Sequence, residues 1–474
     1  MARYQPDPKI LELGPEFYDA VQPAQFPKCI PRFLNERWAE RVGLELTPAA
    51  ATRHFCRFEP LPDNLGQPLA LRYHGHQFRV YNPEIGDGRG FTFAQLRDNR
   101  DRLLDLGTKG SGQTPYSRTA DGRLTLKGGV REVLATEMLE ALGVDTSKSF
   151  ALFETGEDLV RGDEPSPTRS SVLTRLSHGH IRIGTFQRLA FFGDVDSLKK
   201  LSRYCLENLY GEQPDADDSD NADRLFDLVS TATAKLAASY LAAGFVHGVL
   251  NSDNINVTGE GFDYGPWRFT PFWEPEFTAA YFDHYGLYAF GRQPEAIHWD
   301  VAQLAGCLSL ITEPARLSEI LSSWSDRFDR ALTSALLSRL GVRSGGEDRK
   351  IAGALIRALA SRTHKIDQVF FDWHGGRDPG VELYAGEEFR ELSQMLEGRE
   401  RPSMHPYWSD DAPCSMHIDE VEAIWAGIAT SDDWQPFNNK VKAIRRMGEA
   451  MLADQARSRD KRPGEIVERD ARAS

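Results

Sequence analysis

A chain of 474 residues with 41% hydrophobic and 27% charged residues has ample apolar content for two or three compact units, which excludes disordered and fibrous classes. The formal net charge of −14 argues against a broad basic face for nucleic acid or an anionic membrane, while local Arg/Lys clusters can still meet small phosphates. No apolar run reaches the roughly 18 residues of a membrane span, and MARYQPDPKILELG lacks a signal-peptide layout, so a cytoplasmic protein is expected.

Near the N-terminus, FLNERWAERVGL has the apolar spacing of an amphipathic helix within a mixture of short helical and loop signals. From Leu69 to Lys109 the short runs LALRYH, FTFAQLRD and LLDLGTKG, parted by glycine- and charge-rich turns, predict an antiparallel meander. Val130, Val133, Leu134, Met138, Ala141 and Leu142 then recur at helical spacing, with Gly143 to stop the helix. GEQPDADDSDNAD (211–223) is acidic and turn-rich, lacks the glycine and closing glutamate of a calcium loop, and reads as a solvated surface loop. ADRLFDLVSTATAKLAASYLAAGF predicts one long, largely buried helix ending at Gly244. From Trp299 onward the pattern is helical, GRQPEAIHWDVAQLA opening a core helix, and the charged residues 461–474 are expected to be a disordered tail. Cys29, Cys56, Cys205, Cys307 and Cys414 are scattered, with no CxxC pair or zinc-like spacing, and are expected to be mostly buried thiols.

Chemistry first shows in GDGRG, where Gly86, Gly88 and Gly90 let backbone N–H groups approach an anion beside the Arg89 cation, although a hairpin turn has the same composition. The phosphate loop GxxxxGK[ST] is absent. Lys109 closes a strand and Glu132 sits in the following helix, the arrangement in which a strand lysine reaches nucleotide phosphates and a helix glutamate holds its ammonium. Two solvated surface charges would read the same way. HGVLNSDN (247–254) and DYG (263–265) follow the long helix at the interval of a kinase catalytic loop and metal motif. Val249 occupies the place of the catalytic aspartate, and valine accepts no proton, so ordinary phosphotransfer lacks its usual base. Asp253 and Asp263 remain as hard oxygen ligands or bases suited to Mg²⁺.

The blocks LGPEFY, YHGHQFRVYNPEIGDGRG, KGSGQTPYSRTADGR, VRE, VLTRLSHGHIRIGTF, HGVLNSDNINVTGEGFDYGPW and GLYAFGRQP, in this order over about residues 13–300, resemble the selenoprotein O family of protein adenylyltransferases. The resemblance implies an α+β, protein-kinase-like bilobal fold, with a mainly β nucleotide-binding lobe and N-terminal extension over 1–190 and a helical lobe carrying the catalytic and metal loops over 191–460. It also implies ATP in a flipped orientation, its α-phosphorus facing a Ser, Thr or Tyr hydroxyl of a protein substrate. Residue by residue, Gly86, Gly88, Arg89, Lys109, Asp121, Gly122, Arg175 and Arg182 match nucleotide-binding positions. Glu132 matches the partner of Lys109, Asp253 the proton acceptor, and Asn254 and Asp263 the ligands of Mg²⁺, with Mn²⁺ as the alternative ion. Arg175 and Arg182, seven residues apart, suit one helix face or the two flanks of a turn, and their guanidinium forks suit phosphate oxygens.

Thr108, Thr119, Ala120, Lys127, Gly128 and Gly129 depart from the family pattern without removing a phosphate or metal contact, and no terminal selenocysteine or cysteine motif is present for redox control. Three readings follow: an adenylyltransferase, an atypical kinase, or a non-catalytic ATP-binding scaffold, with Mn²⁺-dependent uridylyl transfer as a variant of the first. His74, His76, His178 and His180 have no third metal ligand placed with them, and the aromatics around Trp267 and Trp273 are expected to pack as a loop.

Overall fold

The computed structural model describes residues 2–459 except Asp163, Val381 and Pro402. The expected tail at 461–474 lies outside the described residues.

Ten strands carry the N-terminal region: β1 (Tyr18–Ala20), β2 (Ile30–Leu34), β3 (Leu69–Leu71), β4 (Gly75–Gln77), β5 (Val80–Asn82), β6 (Thr92–Arg97), β7 (Leu103–Lys109), β8 (Leu124–Thr125), β9 (Lys148–Leu159) and β10 (Thr168–Ser177). Eight of them form one antiparallel sheet in the order β1-β3-β6-β7-β10-β9-β2, with β8 paired to β10. The expected meander is present as the adjacent β3, β6 and β7, but β4 and β5 leave it as a separate hairpin. The two longest strands, β9 and β10, pair with each other and take β2, β7 and β8 as their further partners, and the β10–β7 register puts Arg175 beside Gly107 of β7. Register therefore sets Arg175 one strand away from Lys109.

Local chemistry explains the first helices. In α1 (Glu36–Val42), Asn35 accepts a hydrogen bond from Trp38 N and Gly43 closes the helix at φ 68°, while α2 (Pro48–Phe55) starts with Pro48 behind a Thr47 cap. The helix α3 (Leu126–Ala141) is buried almost throughout, packed between the sheet and the helical region. Arg445 of the distant helix Gln435–Arg459 clasps Glu137 of α3 with two 2.8 Å bonds. The helices α4 (Ile183–Phe191), α5 (Val195–Tyr204), α6 (Asp218–Ala243) and α7 (Gln293–Leu308) build the region below the sheet. α6 is the expected long buried helix, stopped by Gly244 at φ 69°. It begins earlier than its sequence pattern suggests: residues 218–223 form its first turns and not a solvated loop. Asp217 caps Ser219 N, and Asp218 and Asp220 favour the positive end of the helix dipole. One core cluster runs from Leu152 and Leu173 of the sheet through Val133 and Leu134 to Phe226, Leu304 and Ile444.

The cysteines depart from expectation. Cys29 and Cys56 form a disulfide that ties the approach to β2 to the end of α2, and only Cys205, Cys307 and Cys414 are free thiols. Their separation of 27 residues gave no spacing signal; tertiary packing alone brings their Cα atoms to 6.0 Å. Denatured without reductant, the protein should offer three thiols to an alkylating reagent, and five after reduction. Five in both states, read by intact mass, would rule out the bridge. No helix among the described residues is long and apolar enough to cross a membrane.

Candidate active site

A cleft of about 380 Å³ opens where the sheet meets the loops after α6. Gly86, Gly88, Arg89, Lys109, Arg175, Arg182, Asp253 and Asp263 all line it, so eight residues scattered over 178 positions meet in one place. The loop bearing Gly86 folds onto the Tyr116 ring so closely that a Cβ there would lie 2.5 Å from it, which leaves room for no other residue.

Lys109 ends β7 with its ammonium 2.5 Å from Glu132 Oε2 and 2.7 Å from Asp263 Oδ1. Arg175 NH1 reaches Glu132 Oε1 and Asp263 Oδ1, each at 3.2 Å. Two cations thus share two carboxylates in a square whose Lys109, Arg175 and Glu132 corners are buried while Asp263 opens to the cleft, a set in which every member depends on the others. Glu132 stands behind Lys109 and not on the cleft wall. Arg175 and Arg182 flank a turn: the first lies on β10 and the second caps α4, where its NH2 pairs with Asp87 at 3.2 Å. The Nε atoms of both arginines are buried with no hydrogen-bond partner, as is Oδ1 of Asp253.

The two cleft aspartates differ in character. Burial alone would raise the Asp263 carboxyl, but Lys109, Arg175 and Arg89 outweigh it and hold the group well below the usual carboxylate range. Burial dominates at Asp253 and lifts its carboxyl to about 6, with Arg182 and a Gln77 hydrogen bond opposing the rise. A permanently charged carboxylate and one poised near neutrality therefore share the cleft. His247, buried beneath them, donates from Nε2 to Phe262 O at 3.0 Å and ties the 247–254 loop to the 263 loop, while Asn254 Nδ2 donates to Val249 O at 3.0 Å.

Asp121 and Gly122 are not part of this lining. Asp121 borders a separate, wider cavity of about 660 Å³ with Arg123, Glu157 and Asp158, although its neighbour Ala120 does line the cleft. Asp121 is paired there with Arg161 at 2.8 Å. The smaller cleft holds the convergent cations and the perturbed carboxylates, so it is the stronger candidate. Tyr73, Gln77, Asp87 and Tyr116 also line it and went unassigned in the sequence. Their only signal was membership of the YHGHQF–GDGRG and QTPYSR blocks. The histidines are engaged elsewhere: His74 with Tyr81 at 2.8 Å, His76 with Gln187 at 2.6 Å and His180 with Asp105 at 3.1 Å. Trp267 and Trp273 are buried in the packed loop expected of them.

A family model described as protein adenylyltransferase SelO matches residues 1–384. The chain belongs to this family. It is similar to the protein nucleotidyltransferase YdiU of Synechococcus elongatus, 45% identical over 484 residues covering 94% of this chain and 95% of the relative. The protein of the same name from Gloeobacter violaceus is 41% identical over 93% of this chain and 95% of its own, and that of Synechocystis sp. is 38% identical over 92% and 97%. These matches extend over both the sheet-rich and the helical regions, beyond the residues that first pointed to the SelO family.

Proposed function

We propose that the cleft transfers AMP from ATP to hydroxyl side chains of protein substrates, releasing pyrophosphate, on a kinase-like scaffold of a nucleotide-binding lobe and a helical lobe. The observation that carries this reading is the combination of Val249 at the usual base position with Asp253, Arg175 and Arg182 converging on one cleft. Lys109, Arg89 and the two arginines would take the β- and γ-phosphates, so that the α-phosphorus faces Asp253. The substrate oxygen forms a bond to the α-phosphorus while the bond from that phosphorus to the bridging oxygen breaks. The hydroxyl proton passes to Asp253, and the electron pair leaves with pyrophosphate.

The residues present fit a divalent cation. Asp263 stays ionised, Asn254 adds an amide oxygen, and no group of three or more His, Cys, Asp or Glu among the described residues could hold a metal without the nucleotide. That donor set suits Mg²⁺, which keeps several oxygen ligands from water and phosphate, with Mn²⁺ as the alternative. When bound, the ion offsets triphosphate charge. A cation held at Asp263 would leave Lys109 and Arg175, now paired with that carboxylate, free to meet the phosphates. Asp121 and Gly122 are assigned to the nucleotide's outer end, on the strength of Ala120 bordering the cleft.

Labelled ATP tests the reading. Protein should acquire label from α-labelled ATP, with the added mass of AMP, and none from γ-labelled ATP. Val249→Asp should not create γ-transfer, because the phosphate clamp sets the orientation. Label from γ alone would make this an atypical kinase, and ATP binding without label from either position would make it a scaffold.

A further inference from the structure

Beside the cleft stands a ledge of exposed aromatic side chains. The β4–β5 hairpin turns through Phe78 and Arg79, both in left-handed backbone at φ 50° and 62°. A bulky residue there is uncommon and costs free energy, which points to a use for the side chain it presents. Inward from the tip, Gln77 and Asp253 both line the cleft, and a Cβ on Gly75 would lie only 3.0 Å from the Asp253 side chain. Outward, the Phe78 ring is 5.9 Å from Phe282, which is 5.1 Å from Tyr281. Phe78 N and the Tyr288 hydroxyl both donate to Asn251 Oδ1, at 3.0 and 2.6 Å, two positions before Asp253. The hairpin, the loop 281–288 and the assigned base are therefore one tied unit.

This unit leaves apolar surface in solvent. Tyr281 is 80% exposed, Tyr285 92% and Val80 at the hairpin tip 70%, with Phe78 and Phe282 also exposed. The neighbouring guanidiniums are already engaged, since Arg79 and Arg292 both pair with Glu295 at 2.9 and 3.1 Å. Contiguous exposed aromatics of this kind mark interaction surfaces. We propose that the ledge binds apolar side chains flanking the acceptor hydroxyl of the protein substrate, held as an extended segment; this rests on the AMP-transfer reading above. The occupant follows from continuity: a hydroxyl delivered to Asp253 leads its chain past Gln77 onto Phe78. At roughly 3.3 Å per residue, a side chain two or three positions away reaches the ledge.

Two synthetic peptides test this, each with one serine, flanked in one by Phe and Leu and in the other by Gln and Ser, assayed with α-labelled ATP. The apolar peptide should have a kcat/KM about tenfold higher, through KM, the worth of burying one large apolar side chain. A Tyr281→Ser, Phe282→Ser, Tyr285→Ser variant should lose that preference while labelling the polar peptide as before and binding ATP unchanged. Should the triple variant melt early, the separate Tyr281→Ser and Tyr285→Ser variants, altered only at exposed rings, carry the same comparison. Equal labelling of both peptides by the unaltered enzyme, or a preference that survives in the variants, overturns the ledge alone. Failure to label either peptide, with γ-label appearing instead, overturns the AMP-transfer reading and the ledge together.

Discussion

Asp253→Asn should lower AMP transfer by roughly 10²- to 10⁴-fold, the usual contribution of a positioned general base, while ATP affinity stays largely unchanged. The asparagine keeps shape and polarity but accepts no proton. The acidic limb of the pH profile supplies the second half of the test. The Asp253 carboxyl is raised to about 6 and acts in its ionised form, so activity should be full above that pH and lost as pH falls through it, about tenfold per unit. Asp263 is held well below the usual carboxylate range and stays charged throughout that window, so it contributes no limb there. In Asp253→Asn the limb near 6 should vanish along with the rate. A variant with full turnover, or one that keeps the limb, would show that another group takes the proton.

Glu132→Ala should have the largest effect on stability. Its carboxylate is 2.5 Å from Lys109 and 3.2 Å from Arg175, whose side chains are only 4% and 7% exposed, and its removal leaves both cations sharing Asp263. Breaking a buried pair in this way costs about 3–5 kcal/mol, because the stranded charge is worse than no charge. The denaturation midpoint should fall accordingly. Replacing both partners, as in Lys109→Met with Glu132→Leu, should restore much of the stability without restoring AMP transfer, since matched apolar groups of similar volume are often neutral. That divergence separates the structural role of the pair from its role in holding phosphates. An unchanged midpoint in Glu132→Ala would show that the square of charges contributes nothing to the folded state.

Local features were the legible ones along this chain. Apolar periodicity marked α1, α3 and α6, with a stop glycine for the last two, because a helix is written in contacts between residues three and four apart. The motif blocks marked the family and nominated the charged residues that meet in the cleft, since order and spacing along the chain survive without knowledge of the fold. Strands were less legible: β9 and β10, the longest in the sheet, draw their stability from partners far away in sequence. The acidic start of α6 looked like loop until its aspartates were seen at the positive end of a buried helix. The Cys29–Cys56 bridge, the place of Asp121 on a second cavity, the pairing of Lys109 and Arg175 with the same two carboxylates, and the aromatic ledge beside the cleft arise from packing between distant segments. Each of these depends on distances across the fold, and on the burial that raises one cleft aspartate while cations hold the other down, neither of which any single segment encodes.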